Sequence, residues 1–238
     1  MAEIVLMRNF SHPDSHTLNA YRANGGYAAW DKAREMEPAA ITEAVKKANL
    51  RGLGGAGFPT GMKWSFIPKT HTGPVYLVVN ADEGEPGTFK DRYLLERDPH
   101  ALIEGMLIAA RAIRCTLGFV YIRGEYVQPW RRFSAAVQEA YDAGLLGRGF
   151  DVIVHRGAGA YICGEETGLL SSLEARRAGR RSSPRFRLSR ARSGSRRSST
   201  TWRRSAACHR SSPAARSGSR GSAPRRKAAR ACTRCPAG

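Results

Sequence analysis

The stretch "RGLGGAGFPTGMKW", residues 51–64, decides how the chain is read. Within it Gly52-Leu53-Gly54-Gly55-Ala56-Gly57 spells G-x-G-x-x-G letter for letter. A dinucleotide fingerprint needs a strand before that spelling and a helix after it. Here "EPAAITEAVKKANL" precedes, a helical pattern with Ile41, Val45 and Leu50 along one stripe, and Phe58-Pro59-Thr60-Gly61 follows. The context rejects the classical fingerprint. What remains is a glycine loop whose bare backbone can approach a flat or phosphorylated ligand closely. Lys63 offers a cation to a phosphate, and Phe58 or Phe66 a stacking face; a plain glycine-rich turn with core aromatics reads equally well from this stretch alone.

Outward from the loop, the order of elements is that of a parallel α/β sheet. Residues 75–79 form a short apolar strand, "HALIEGMLIAARAIRC" an apolar helix, and "GFVYIRG" a strand. "PWRRFSAAVQEAYDAG" is an amphipathic helix, "FDVIVHRG" a strand, "AGAYICG" a loop and "EETGLLSSLE" a helix. Before the loop, the first 38 residues read as a polar, aromatic arm with a short helix near Tyr27–Met36. Ligands of such sheets bind beyond the carboxyl ends of the strands. Two unusual loops, Asn80–Asp91 and Arg156–Glu165, lie at such ends.

In the acidic loop "NADEGEPGTFKDR", Asp82, Glu83 and Glu85 crowd together, and like charges that close oppose full ionisation. With the Asn80 amide they suit sugar hydroxyls and ring N–H groups; the plain alternative is a solvated loop neutralised by Lys90 and Arg92. In "RGAGAYICGEE", Gly157, Gly159 and Gly164 flank Tyr161 and Cys163, and Glu165-Glu166 open a helix, where acids ordinarily complement the dipole. Cys163 reads as a packed thiol and His155 as structural.

Net charge excludes less than it suggests. The chain has 238 residues and a formal charge of +19, which points to a nucleic-acid or membrane partner. Residues 1–174 nevertheless hold 19 Lys+Arg against 20 Asp+Glu, whereas residues 175–238 hold 19 Arg, one Lys and no acid. No run of 18 apolar residues predicts a membrane span, and no signal peptide is evident. Only Cys115 and Cys163 fall in the body, which fits a reducing compartment.

Together "RGLGGAGFPTGMKWSF", "NADEGEPGTFKDRYLLERDPH" and "GAGAYICGEETGLLSSLE" resemble the FMN- and NADH-binding flavoprotein subunit of respiratory complex I, the NADH:quinone oxidoreductase. The resemblance is colinear over roughly residues 5–174. NAD-linked hydrogenase and formate dehydrogenase diaphorase subunits share the same motifs. Leu53 stands where complex I commonly has arginine, and leucine is familiar in the hydrogenase-type relatives. The resemblance implies FMN held between the glycine loop and the strand ends, with NADH stacked on it. By it, Gly52, Gly54, Lys63, Asn80, Asp82, Glu83, Tyr161, Gly164 and Glu165 are expected to bind FMN. Phe58, Phe66, Glu85 and Glu166 are expected to face NADH. No side chain is expected to act as a catalytic acid or base and none to bind metal, because the flavin carries the hydride chemistry.

Residues 175–238 lack Asp, Glu, Asn, Gln, Ile, Val, Met and Tyr, and Arg and Ser make up half of them. Such a segment cannot bury a core and is expected to be disordered. It reads as a nucleic-acid-binding tail, as a metal site from Cys232-x-x-Cys235 with Cys208, or as GC-rich DNA translated out of frame. Shifting the frame by one base lets Phe186–Ala191 encode Phe-Pro-Ala-Val-Ala-Gly. It lets Arg196–Ser205 encode Pro-Thr-Leu-Val-Asn-Asn-Val-Glu-Thr-Leu, and Cys232–Gly238 encode Val-His-Pro-Val-Ser-Gly. These resemble the family's continuation in order and spacing, so the third reading is preferred, with the shift near residues 179–182. The Asn-Asn-Val-Glu-Thr segment, a flavin-phosphate contact by resemblance, is then absent. The ubiquitin-like domain and the 4Fe–4S-bearing helical bundle of the family are expected to be missing too.

The expected fold is therefore α/β, a Rossmann-like parallel sheet flanked by helices and followed by a disordered tail. Its parts are an N-terminal arm (1–38), an incomplete FMN/NADH-binding domain (39–178) and an Arg/Ser-rich tail (179–238). The expected function is that of an NADH dehydrogenase flavin-subunit fragment of impaired activity. The alternatives are a diaphorase subunit of a hydrogenase or formate dehydrogenase, and a basic-tailed nucleic-acid-binding protein. Expected partners are the peripheral-arm subunits of complex I, above all its small 2Fe–2S subunit. No evolved nucleic-acid partner and no membrane insertion is expected. The expected place is the cytoplasm, or the cytoplasmic face of the inner membrane as part of the complex.

Overall fold

A computed structural model describes residues 5–53, 56–68, 71 and 73–179. The sheet has three strands, β1 (Tyr76–Ala81), β2 (Leu117–Ile122) and β3 (Asp151–Arg156). They lie in the order β1-β2-β3 and both pairings are parallel, with Asn80 beside Tyr121 and Tyr121 beside His155. Parallel neighbours need crossovers, and helices supply them. Asp91–Arg97 (α5) and Pro99–Ile113 (α6) connect β1 to β2, and Val127–Asp142 (α7) connects β2 to β3. All three strands therefore end on one edge, where residues 82–90, 123–126 and 157–165 leave the sheet.

The central strand explains the apolar spelling of "GFVYI". Residues 118–122 are all buried, because a middle strand of a covered parallel sheet has no wet face. Gly118 is required there: a Cβ would stand 2.8 Å from Cζ of Phe150 and 2.9 Å from Cε of Met106. One face of the sheet meets α6 and α7. Phe133, Ala136, Val137 and Ala140 recur at i, i+3, i+4 and i+7 along α7, and all four are buried. Truncating Phe133 to alanine would cost about 3–5 kcal/mol. The other face carries the smaller cluster of Tyr121, Cys163 and Leu169, under Glu166–Leu173 (α8).

The α6 terminus shows how local chemistry sets a boundary. Pro99 occupies its first turn, and Arg114 closes it at φ +55°, with the Cys115 amide returning to the Ala110 carbonyl at 2.9 Å.

Four local readings change. The arm holds a second helix, α1 (Leu18–Ala23), beside α2 (Ala28–Glu35). Its Tyr21 and Tyr27 lie in the main core with Ile103 and Leu107. Leu50 leaves the predicted stripe: α3 (Pro38–Lys47) stops earlier, Asn49 turns the chain at φ +50°, and Leu50 ends 55% exposed. A helix does follow the glycine loop, the six-residue α4 (Thr60–Ser65), although no strand precedes it. The acidic loop expected at Asn80–Asp91 is trimmed at both ends, because β1 runs to Ala81 and a helix not expected there, α5, begins at Asp91. The predicted tail beyond residue 179, with Cys208, Cys232 and Cys235, lies outside the described residues. Among the described residues no helix is long and apolar enough to cross a membrane.

Candidate functional site

The strand ends bring together residues 80–85 and 161–166. Asn80, next to last in β1, has its side chain exposed, accepting from the Asp82 amide at 3.1 Å and donating to the Gly164 carbonyl at 2.8 Å. Asp82 is 2% exposed. Burial lifts its carboxyl above the usual range; Glu125 adds to the lift and Arg123 opposes it. Backbone crowds it from two sides. A Cβ on Gly84 would lie 2.9 Å from Oδ2 of Asp82, and one on Gly164 would lie 3.3 Å from it. Tyr161, exposed on the 3-10 turn Tyr161–Gly164, donates to Oε2 of Glu85 at 2.6 Å.

Glu83 fits neither the crowded, mutually repelling acidic cluster nor its plain alternative, a solvated loop neutralised by Lys90 and Arg92. Its Oε1 accepts the backbone amides of Lys90 (2.7 Å) and Asp91 (2.8 Å), and its Oε2 those of Arg92 (3.2 Å) and the Tyr126 hydroxyl (2.9 Å). Burial raises its carboxyl, but these four bonds outweigh burial and hold it below the ordinary carboxylate range. The carboxylate is the N-terminal anchor of α5, where the helix dipole favours it. The Lys90 ammonium pairs instead with Asp91 at 2.6 Å, and the Arg92 guanidinium lies over the Tyr93 and Tyr126 rings. Glu83 itself has φ +41°, and Arg123 donates to its carbonyl at 3.0 Å. With the phenol bonded to that carboxylate, burial first and Glu83 second push the Tyr126 hydroxyl up to about 12.

Glu165 behaves similarly. It is the N-cap of α8, its Oε2 accepting the amides of Thr167 and Gly168, each at 3.0 Å. Glu166 stands exposed in the first turn of that helix.

The glycine loop forms its own group. It is pinched at its base, where the Gly52 amide donates to the Phe58 carbonyl at 3.0 Å and the Thr60 amide to the Leu50 carbonyl at 2.8 Å. Gly57 has φ +58° and open space where a Cβ would be. Gly54 lies outside the described residues. Lys63 is exposed on α4, and the Phe58 and Phe66 rings, both about half exposed, stand 6.0 Å apart. Gly61 lets α4 sit directly on α3: a Cβ there would meet the Lys46 backbone nitrogen at 2.7 Å. Helix α4, which follows the loop, thus rests on α3, and α3 on α6, one layer from β1.

Sequence reasoning missed Arg123, Tyr126 and Gly124. A Cβ on Gly124 would stand 2.5 Å from the Gly157 carbonyl, so the loops after β2 and β3 touch backbone to backbone. The glycine directly after "FVYIR" was the available signal. Cys163 is buried and His155 stacks on Tyr121 at 5.0 Å, both packed as expected.

Residues 45–191 match the family model of the Nuo51 FMN-binding domain. An F subunit of NADH-quinone oxidoreductase from Rhizobium meliloti is 58% identical over 194 residues, covering 78% of this chain and 46% of the relative. The F subunit of Mycobacterium tuberculosis (strain H37Rv) is 55% identical, covering 77% and 43%, and that of Aquifex aeolicus 48%, covering 76% and 44%. The chain spans less than half the length of these curated relatives. The crystal structure of an NAD+-reducing NiFe hydrogenase in the air-oxidised state is similar, at 39% identity and a TM-score of 0.57 over 76% of this chain and 28% of that one.

Proposed function

The chain belongs to the Nuo51 FMN-binding domain family, and on that premise we propose that it carries the FMN- and NADH-binding half of an NADH-oxidising flavoprotein. The observation that supports this most is the convergence of Asn80, Asp82 and Gly164 at the ends of β1 and the 3-10 turn. An exposed amide, a buried carboxylate and bare glycine backbone are the groups that ribityl hydroxyls and a flavin ring N–H need, so the donor set fits FMN. When bound, FMN takes a hydride from NADH and passes electrons on singly.

In this reading the glycine loop from Gly52, with Gly54 and Lys63, approaches the phosphate end. Asn80, Asp82, Tyr161 and Gly164 orient the rest. Glu83 and Glu165 act through the backbone they position, since both carboxylates already hold helix N-termini. Phe58, Phe66, Glu85 and Glu166 face NADH, the exposed rings excluding water from the nicotinamide. The onward electron path to iron–sulfur centres and quinone, and docking to complex I subunits including a 2Fe–2S partner at the cytoplasmic face, belong to the same proposal. The likeness to a hydrogenase supports a second reading, a diaphorase subunit, which neighbouring genes would separate.

Weak activity is part of the proposal, because residues 175–238 spell no Asn-Asn-Val-Glu-Thr phosphate contact. The test is anaerobic NADH addition to the purified chain loaded with excess FMN. The flavin should bleach slowly, and Glu85→Ala should slow it further. Flavin that is never reduced would sink the reading, and full-speed ferricyanide reduction with stoichiometrically retained FMN would sink the impairment.

A further inference from the structure

A cavity lies away from the flavin site. It measures about 390 Å³ and opens between arm residues 10–16, the end of α5 and the first turns of α7. His12, His16, Arg97, Gln128 and Arg132 line it, with Glu96 the one carboxylate among the lining residues. Residues 10–16 precede the family match, which begins at residue 45.

The lining carries two guanidinium groups against one carboxylate, with Asp14 and Glu139 also acting on His16. Arg34, Arg123 and Arg176 each pair with a carboxylate. Among the described residues neither Arg97 nor Arg132 does. Arg97, exposed, lies over the Phe10 ring at 5.9 Å, a contact that uses the guanidinium face rather than its N–H fork. Burial, and after it the nearby Arg132 charge, hold His16 below the ordinary histidine value despite Asp14 and Glu139. A last-turn arginine complements a helix dipole, which accounts for Arg97 but not for Arg132 or the histidines.

The arm is held in place beside this cavity. Ser15 is buried and donates to the Arg97 carbonyl, and Asn9 donates to Oδ2 of the buried Asp98 at 2.8 Å. Two planar forks and two imidazoles, carried by an anchored arm and two helices, suit a tetrahedral dianion. We propose that this cleft binds a phosphate-bearing small anion. The site stands independently of the flavin reading, since it shares no residue with it.

The test titrates inorganic phosphate into the full chain at constant ionic strength, reading calorimetric heat and the ring NMR signals of His12 and His16. One saturable site that moves the His16 signal is expected. Arg132→Gln and Arg97→Gln should each weaken it roughly tenfold, the size of one charge-assisted bond. His12→Ala, an exposed change, gives a second variant with the fold kept. The basic tail is present in every variant, so binding that is equal in all of them belongs to the tail and overturns the proposal. So does a His16 signal that stays still.

Discussion

Asn80 donates its side-chain amide to the Gly164 carbonyl at 2.8 Å, joining residues 84 positions apart. The bond ties the end of β1 to the turn before α8, so the two motifs that carry the flavin reading are held in one place. Asn80→Ala should cost about 0.5–1.5 kcal/mol in urea unfolding, the net worth of one such bond. It should cost more in flavin affinity, because the Asp82 amide loses its local acceptor as well. Equal flavin binding by the variant would show that this tie does not position the site.

Glu83 should make the fold acid-sensitive. Its folded carboxyl sits below the ordinary 4.5, so its contribution is complete above that value and is lost as pH falls below it. Glu83→Gln should remove this part of the pH dependence and cost roughly 1–2 kcal/mol at neutral pH, as the loss of a helix cap does. Thermal unfolding of parent and variant between pH 3 and 7 checks both signs (roughly the span in which a carboxylate titrates).

His100 is fully buried, with Nδ1 at 2.9 Å from the Tyr27 hydroxyl and Nε2 at 3.3 Å from Glu139. Burial lowers its value more than Glu139 raises it. The unfolded chain therefore takes up the proton first, and stability should fall as pH drops from 6.5 towards the lower folded value. His100→Gln should flatten the curve in that window. The readout is the protection of arm amides from hydrogen exchange, since Tyr27 and the Glu104 carboxylate that takes the Tyr27 and Trp30 amides anchor the arm to α6.

Gly61→Ala should separate α4 from α3. Its Cβ would meet the Lys46 backbone, which cannot swing aside as a side chain can. A cost of about 1–3 kcal/mol is expected. Chemical denaturation should report this loss, and flavin titration a weaker affinity from the displaced Lys63. An unchanged midpoint would mean that the glycine loop does not depend on this contact.

The sheet was legible because its strands are bounded apolar runs and its central strand is buried on both faces. Helix α5 was not. "DRYLLER" is polar, and the signal that starts it is a carboxylate seven to nine residues upstream, which no periodicity connects to it. The same long reach hid the roles of Arg123 and Tyr126, which act on Glu83 across some forty residues. Leu50 fell out of its stripe because a left-handed Asn49 ended the helix before the pattern did. The flavin reading came from long motif resemblance. Composition alone, with +19 of charge, pointed elsewhere.

Whether the strand-end loops hold a flavin is the central claim, and a fluorescence titration of the purified full chain with FMN asks it without intermediaries. Weak, saturable quenching at one site per chain is expected. Gly164→Val should abolish it, its side chain driven against the Asp82 carboxylate, with the circular dichroism spectrum unchanged. Quenching that is identical in the variant, or absent from the parent, would mean that these loops are not the flavin site.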